Sequence, residues 1–545
     1  MSDPSIVCTA LSFSWPDDTP VFDELSVAVP GGRTGLVAAN GAGKSTLLRL
    51  IADELRPTGG TITVQGVLGY LPQHLPFAGE QTVAQVLGVD RILAALHAIE
   101  AGDAAEEHFT AVGNDWDIEE RTAAELDRLG LGEIGLERPL ATLSGGQVVS
   151  LGLAAQLLKR PDVLLLDEPT NNLDGPARER LTGVLRGWSG CLLVVSHDRA
   201  LLDEMDRIAA LEHGEIRWYG GSYTDYEQAV RGEREVVERQ VRGAEQDLKR
   251  QKREAQVARE RSSRRAATAA RNLSDAGLAR IVAGNLKRAA QNSAARANET
   301  HAFRVGDAQS RLDQASRAAR QDDRIVIELP GTTVPAGRTV FHGERMQTVY
   351  EGRPIFAGDG ADLDIRGPER IALIGPNGAG KSTLLRLIGG EQAPASGTAV
   401  RADGRVAYLS QRLDLLDPER TVAENLAAFA PALPDAERMN LLARFLFRGS
   451  RAHLPVRVLS GGERLRATLA SVLFAEPAPQ LLLLDEPTNN LDLDSVAQLE
   501  AALTAYRGAF VVVSHDQRFL DAIGVTRWLR LADGWLSDPG GSTPD

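Results

Sequence analysis

The run Gly375-Pro376-Asn377-Gly378-Ala379-Gly380-Lys381-Ser382-Thr383 follows the apolar residues Ile371 to Ile374 and precedes a helix-like stretch reaching Ile388. Glycines in such a loop let consecutive backbone N–H groups turn toward phosphate oxygens. Lys381 adds a point charge suited to the β and γ phosphates of a nucleoside triphosphate, and Ser382 can ligate Mg2+. A related run, Ala38-Ala39-Asn40-Gly41-Ala42-Gly43-Lys44-Ser45-Thr46, stands near the amino terminus with alanine where the pattern opens on glycine. Alanine is tolerated there if its φ stays negative, and Gly41 and Gly43 keep the anion cradle, so binding is expected to survive. Each loop is followed later by an apolar strand ending in two acids: Val163 to Asp167 with Glu168, and Leu481 to Asp485 with Glu486. The aspartate can hold Mg2+ through water, and the glutamate is placed to polarise an attacking water. His197 and His515 each lie in Ser-His-Asp after a further apolar strand, where contact with a γ-phosphate is expected.

These elements must be positioned twice, because the same short motifs recur in the same order. The pattern of strand, loop and helix predicts an α/β fold made of two tandem nucleotide-binding domains, residues 1–225 and 324–545, joined by a segment at 226–323. The stretch from Gln73 to Ser144 is longer than its counterpart from Gln411 to Ser460, so the first copy carries a small insertion. At 545 residues the chain exceeds what one core supports, and 43% hydrophobic residues suffice for two. With only Cys8 and Cys191, neither a disulfide framework nor a paired-cysteine zinc site is expected, which fits a reducing compartment. The opening MSDPSIVCTALSF has no basic patch before an apolar core, so no signal peptide is expected. Apolar runs such as Val511 to Val513 have strand length, far below the ~20 residues that cross a bilayer. A soluble cytoplasmic protein is the expectation.

The connecting segment is rich in Arg, Ala, Gln and Glu, a helical composition. Apolar residues recur at three-four spacing in Val230, Val237, Val241, Ala244, Leu248, Ala255 and Ala258, then in Val305, Ala308, Leu312, Ala315 and Ala319. This pattern predicts two long antiparallel helices meeting along a narrow seam, with the turn between Asn272 and Gly284. Lys249 to Arg296 holds 13 basic and three acidic residues in a chain whose net charge is −14. Solvation alone is satisfied by mixed charges, whereas this one-sided excess points to a polyanionic partner.

Two further runs, Leu143-Ser144-Gly145-Gly146-Gln147 and Leu459-Ser460-Gly461-Gly462-Glu463, place a serine and two glycines at a helix start and form a second kind of anion nest. With Gln73 and Gln411 they resemble the signature and Q-loop motifs of the ATP-binding-cassette superfamily. The resemblance implies ATP and Mg2+ as ligands, with Gln73 and Gln411 at the metal beside Ser45, Asp167, Ser382 and Asp485. It also implies that each nest completes the site of the opposite cassette within one chain, and that Trp15 and Tyr350 stack on adenine. The runs Leu166-Asp167-Glu168-Pro169-Thr170-Asn171-Asn172-Leu173-Asp174 and Leu484-Asp485-Glu486-Pro487-Thr488-Asn489-Asn490-Leu491-Asp492, with Tyr219-Gly220-Gly221-Ser222-Tyr223, look like the F subfamily. Members of that subfamily lack transmembrane domains and bind the ribosome. Resemblance to them implies contact with 23S ribosomal RNA and P-site tRNA near the exit site, made through the basic linker. One departure is Val148-Val149-Ser150 after the first signature, where relatives carry a basic residue as Arg464 and Arg466 do in the second. A transporter ATPase has no need of a basic hairpin between its cassettes, and zinc-bearing repair relatives need more cysteines. The long linker and small insertion resemble the antibiotic-protection members more than the housekeeping ones.

Overall fold

Each glycine loop lies where a buried strand hands over to a helix, and the same handover organises both cassettes. The computed structural model describes residues 4–75, 80–171, 173–212, 214–275, 299–316, 329–350, 352–402, 404–410, 413–489 and 491–538. Val163–Asp167 and Cys191–Val195 are buried at every position, as expected of parallel strands covered on both faces. They belong to a six-stranded sheet ordered Leu68–Leu71, Val163–Asp167, Cys191–Val195, Gly32–Val37, Arg207–Glu212 and Glu215–Gly220, in which only the last strand is antiparallel. The second cassette repeats it as Arg405–Leu409, Pro479–Asp485, Ala509–Val513, Arg370–Ile374, Arg527–Ala532 and Trp535–Ser537.

A three-stranded antiparallel sheet accompanies each: Pro20–Pro30, Pro4–Ser14 and Gly59–Val64 in the first, Ala361–Arg366, Thr339–Gln347 and Ser396–Arg401 in the second. Ala361–Arg366 alternates buried with less buried positions, so one face of that sheet joins the core and the other meets solvent. The extra length of the first cassette is helical. It holds Val83–Leu87, Asp90–Glu100, Glu106–Val112 and Ile118–Arg128 where the second has Val422–Phe429 and Asp435–Arg444.

The chain divides into two units, Met1–Thr224 with Ile325–Asp545, and Asp225–Arg324. Inside the first unit the cassettes meet through Arg199 Nη1 and Glu500 Oε1 at 2.7 Å, both largely buried, and through Arg518 and Asp203. The second unit contains most of the 53-residue helix Tyr223–Asp275, which is about 80 Å long at 1.5 Å per residue, and a helical stretch at 299–316. Leu248, Ala255 and Ala308 are buried, while Val237, Val241, Ala244, Ala258, Val305 and Leu312 are half-buried between exposed neighbours. Asp247 Oδ2 lies 3.6 Å from Arg311 Nη1 across this seam. The helix continues through Asn272 to Asp275, past the point where the sequence suggested a break, because one Asn or Ser costs a helix only a few tenths of a kcal/mol. The rest of the expected turn, Leu278 and Gly284 included, lies outside the described residues. No helix among the described residues is long and apolar enough to cross a membrane.

Candidate active site

Parallel strands deliver their carboxyl ends to one edge of the sheet, and that edge gathers the loop, the acids and the histidine. Asp167 pairs in register with Val195, and the Glu168 amide donates to the Val195 carbonyl at 2.8 Å. In the second cassette the Glu486 amide donates to the Val513 carbonyl at 2.9 Å. Both glutamates have a left-handed backbone, φ 51° at Glu168 and 46° at Glu486. A non-glycine residue pays roughly 1–3 kcal/mol for such a conformation, which persists where surrounding structure over-determines it. The repetition of this strain at the same acid in both copies marks the position.

The loops follow the same logic. Gly43 and Gly380 are left-handed at φ 96° and 100°, and a Cβ on either would stand 2.7 Å from the Val21 or Ile355 side chain. Ala38 and Gly375 differ. Gly375 has φ 154°, and a Cβ there would lie 2.0 Å from the Leu531 carbonyl oxygen, whereas Ala38 is not among the residues with positive φ. Lys44 Nζ donates to the carbonyls of Ala38 and Ala39 at 2.8 and 3.2 Å, and Lys381 Nζ to those of Gly375 and Pro376 at 2.7 and 3.0 Å. Burial lowers both ammonium pKa values, and the carboxylates nearby oppose it.

His197 Nε2 stands 3.2 Å from Glu168 Oε1, and His515 Nε2 3.3 Å from Glu486 Oε1. These separations would suit ion pairs, yet burial drives the partners apart in protonation. It raises Glu168 to about 8 and Glu486 to about 7, and lowers His197 to about 3 and His515 to about 4. Both imidazoles are therefore neutral at pH 7 and act as hydrogen-bonding groups, not cations. Asp167 Oδ1 is buried without a hydrogen-bond partner, and Ser45 hydrogen-bonds the same carboxyl group. A hard divalent cation takes such oxygen donors, so the group of Ser45 and Asp167 fits Mg2+. At the counterpart, the Tyr408 hydroxyl donates to Asp485 Oδ2 at 3.0 Å.

Of the remaining expected ligands, Trp15 lines a cavity of about 300 Å³ with Val21, Gly41 and Ala42, and packs edge-on to Phe13 at 5.2 Å. Tyr350 is 68% exposed, and Gln73 is exposed just past the strand Leu68–Leu71. Gln411 lies outside the described residues. Ser144 and Ser460 cap the helices Gly145–Leu157 and Gly461–Leu473, and their third residues fold back: Gln147 Oε1 accepts from the Ser144 amide at 2.9 Å, and Glu463 Oε2 from the Ser460 amide at 3.1 Å. These are reciprocal capping boxes. Asp492 did not figure among the expected site residues, yet its Oδ2 accepts from the Asn40 amide at 2.8 Å, so the second cassette reaches into the first loop. Its counterpart Asp174 acts electrostatically on Lys381 in the same crossed sense. Both aspartates end the repeated acidic runs, a regularity that was visible in the sequence without its meaning.

Two P-loop cassettes, each lending an aspartate to the other's loop region, define a tandem nucleotide-hydrolysing protein. The ABC transporter family model matches residues 23–171 and 359–489. The chain belongs to the ABC-F family of ATP-binding-cassette ATPases. It is 36% identical to the tylosin resistance ATP-binding protein TlrC of Streptomyces fradiae, over 92% of this chain and 93% of that protein. It is 34% identical to the probable ATP-binding protein YheS of Escherichia coli, over 90% and 73%, and 32% identical to the ATP-binding protein Uup of Escherichia coli, over 95% and 79%. Among solved structures, an RNase-L inhibitor superposes with a TM-score of 0.57 at 18% identity, covering 96% of this chain and 87% of that one. An archaeal ribosome recycling factor, aABCE1, in complex with the ribosomal stalk protein aP1, gives 0.56 at 19%, also over 96% and 87%. These two likenesses concern the fold.

Proposed function

We propose that this ATPase binds the ribosome through its basic linker, residues 226–323, and uses ATP turnover to act on translation in the cytoplasm, as a resistance factor of the ribosomal-protection kind. It works as a single chain whose cassettes close on each other around two ATP molecules, and it needs no membrane subunit. Lys44 and Lys381 hold the β and γ phosphates, Glu168 and Glu486 orient the attacking water and, in their ionised forms, accept its proton, and His197 and His515 hydrogen-bond the γ-phosphate. Ser45, Asp167, Ser382 and Asp485 would hold Mg2+, which neutralises charge developing on the phosphates. The left-handed backbone at Glu168 and Glu486 holds each base beside the histidine of its own cassette.

The observation that carries the partner is the charge of the linker: Lys249 to Arg296 is strongly basic on a chain that is otherwise acidic. Phosphate contacts by such a segment release counterions, so affinity should fall steeply with salt. The resistance reading is supported by similarity to TlrC over nearly its whole length. Similarity to YheS and Uup supports a housekeeping translation role as the second reading. Replacing Arg261, Arg264, Arg265 and Arg271 by Ala should reduce the slope of log affinity against log salt by about 0.7–0.9 for each phosphate no longer neutralised. An unchanged slope in ribosome cosedimentation would refute the linker as the ribosome-binding element. Exchanging Asn272, Leu273 and Leu278 should spare binding and abolish the effect on translation; an antibiotic-susceptibility assay beside a translation assay then separates resistance from housekeeping.

A further inference from the structure

We propose that Arg178, on the first cassette, is a positioning residue of the second ATP site, where it holds His515 from across the interface. The inference rests on His515 being the γ-phosphate contact of that site. Arg178 lies on the helix Gly175–Arg186, whose N-cap is Asp174. Its Nη1 donates to the backbone carbonyl of His515 at 3.4 Å and stands 3.3 Å from Asp198 Oδ2. Asp198 is itself fixed, because its Oδ1 accepts from the amides of Ala200 and Leu201 at 2.9 and 3.2 Å. Both side chains are mostly buried, at 20% and 9% exposure, so water does little to screen the contact.

The result is one connected path. It runs from Asp198, next to His197 of the first site, through the guanidinium to His515, and on to Glu486 of the second site at 3.3 Å. The same positive charge reaches the carboxyl group of Glu486 and opposes the effect of its burial. Arginine suits the role because its planar fork stays charged and presents several donors at fixed angles.

The repeat does not preserve the donor. Asp174 and Asp492 are equivalent N-caps, and the residue four places beyond Asp492 is Val496, which has nothing to donate. Val496 therefore cannot hold His197 from the equivalent position, and the charge that reaches His197 from the second cassette is the Asp492 carboxylate. Other interface pairs do not share the property: Arg199 with Glu500, and Arg518 with Asp203, join the cassettes without touching either histidine or either glutamate.

The test measures steady-state ATP turnover in the full chain carrying Glu168→Gln, so that the second site supplies the hydrolysis. Arg178→Val, which installs the side chain found at position 496, should lower kcat about tenfold, the scale of removing one charged hydrogen bond from the transition state, with KM within about threefold. Arg178→Lys should recover most of the loss. Glu500→Gln removes the charge of an interface pair that touches neither histidine but keeps an oxygen that can accept from Arg199, and it should change kcat less than about threefold. His515→Ala, measured alongside, separates the premises. If it leaves kcat intact, the reading of His515 fails and takes the inference with it. If His515→Ala lowers kcat and Arg178→Val does not, only the inference is overturned. An equal loss in Glu500→Gln and Arg178→Val would also overturn it, since any interface contact would then serve.

Discussion

The two cassettes share a sheet order, a strained glutamate and a histidine, and they differ in what each receives from the other. The first loop takes the Asp492 carboxylate on the Asn40 amide. The second site takes a guanidinium on the His515 carbonyl, from a position that is valine in the other copy. The first loop opens on Ala38 in an ordinary backbone region, the second on Gly375, where a side chain would strike the Leu531 carbonyl. Burial raises the carboxyl pKa to about 8 in the first site and to about 7 in the second. A repeated fold can thus carry unequal sites, because its catalytic groups are completed from outside the repeat.

The largest expected effect tests what the sites have in common. Glu168→Gln with Glu486→Gln removes both proton acceptors while sparing the lysines, so ATP should still bind while turnover falls by about a hundredfold or more. Phosphate release at the parental rate would contradict the assignment. The next tests a difference: Gly375→Ala should weaken ATP binding to the second cassette by about tenfold, since its Cβ must displace backbone. Ala38→Gly should shift the first by less than about threefold. Nucleotide titration of the single variants measures both, and equal effects would show that the two loop openings are interchangeable.

A smaller effect concerns the thiols, both in the first cassette. Cys8 and Cys191 are buried, and burial raises their pKa, Cys8 to about 11. Because the thiolate is the reactive form, iodoacetamide at pH 8 should leave both unmodified in the native chain and label them after denaturation. Rapid native labelling would mean that the first cassette opens more readily than its packing suggests.

Much of this was legible before the fold was known. Lys44, Asp167, Glu168 and their counterparts were readable because each sits in a short local pattern that occurs twice. The linker seam was readable because helical periodicity survives in the sequence: Leu248, Ala255 and Ala308 fall on the expected stripe and are its buried members among the described residues. The left-handed φ of Glu168 and Glu486 was hidden, since no residue type announces it there. Gln147 and Glu463 carried a visible capping-box spacing and were expected to face a nucleotide; their side chains turn back on Ser144 and Ser460. Asp492 and Arg178 escaped because their meaning depends on how two cassettes meet, which no local pattern encodes.

The two ATP sites should turn over at unequal rates with the second the faster, because burial raises its glutamate less and Arg178 reaches the carbonyl of its histidine. Turnover measured separately in Glu168→Gln and in Glu486→Gln tests it most directly. Glu168→Gln, which leaves the second site working, should retain clearly the larger share of the parental rate. Equal residual rates, or a faster Glu486→Gln variant, would contradict it.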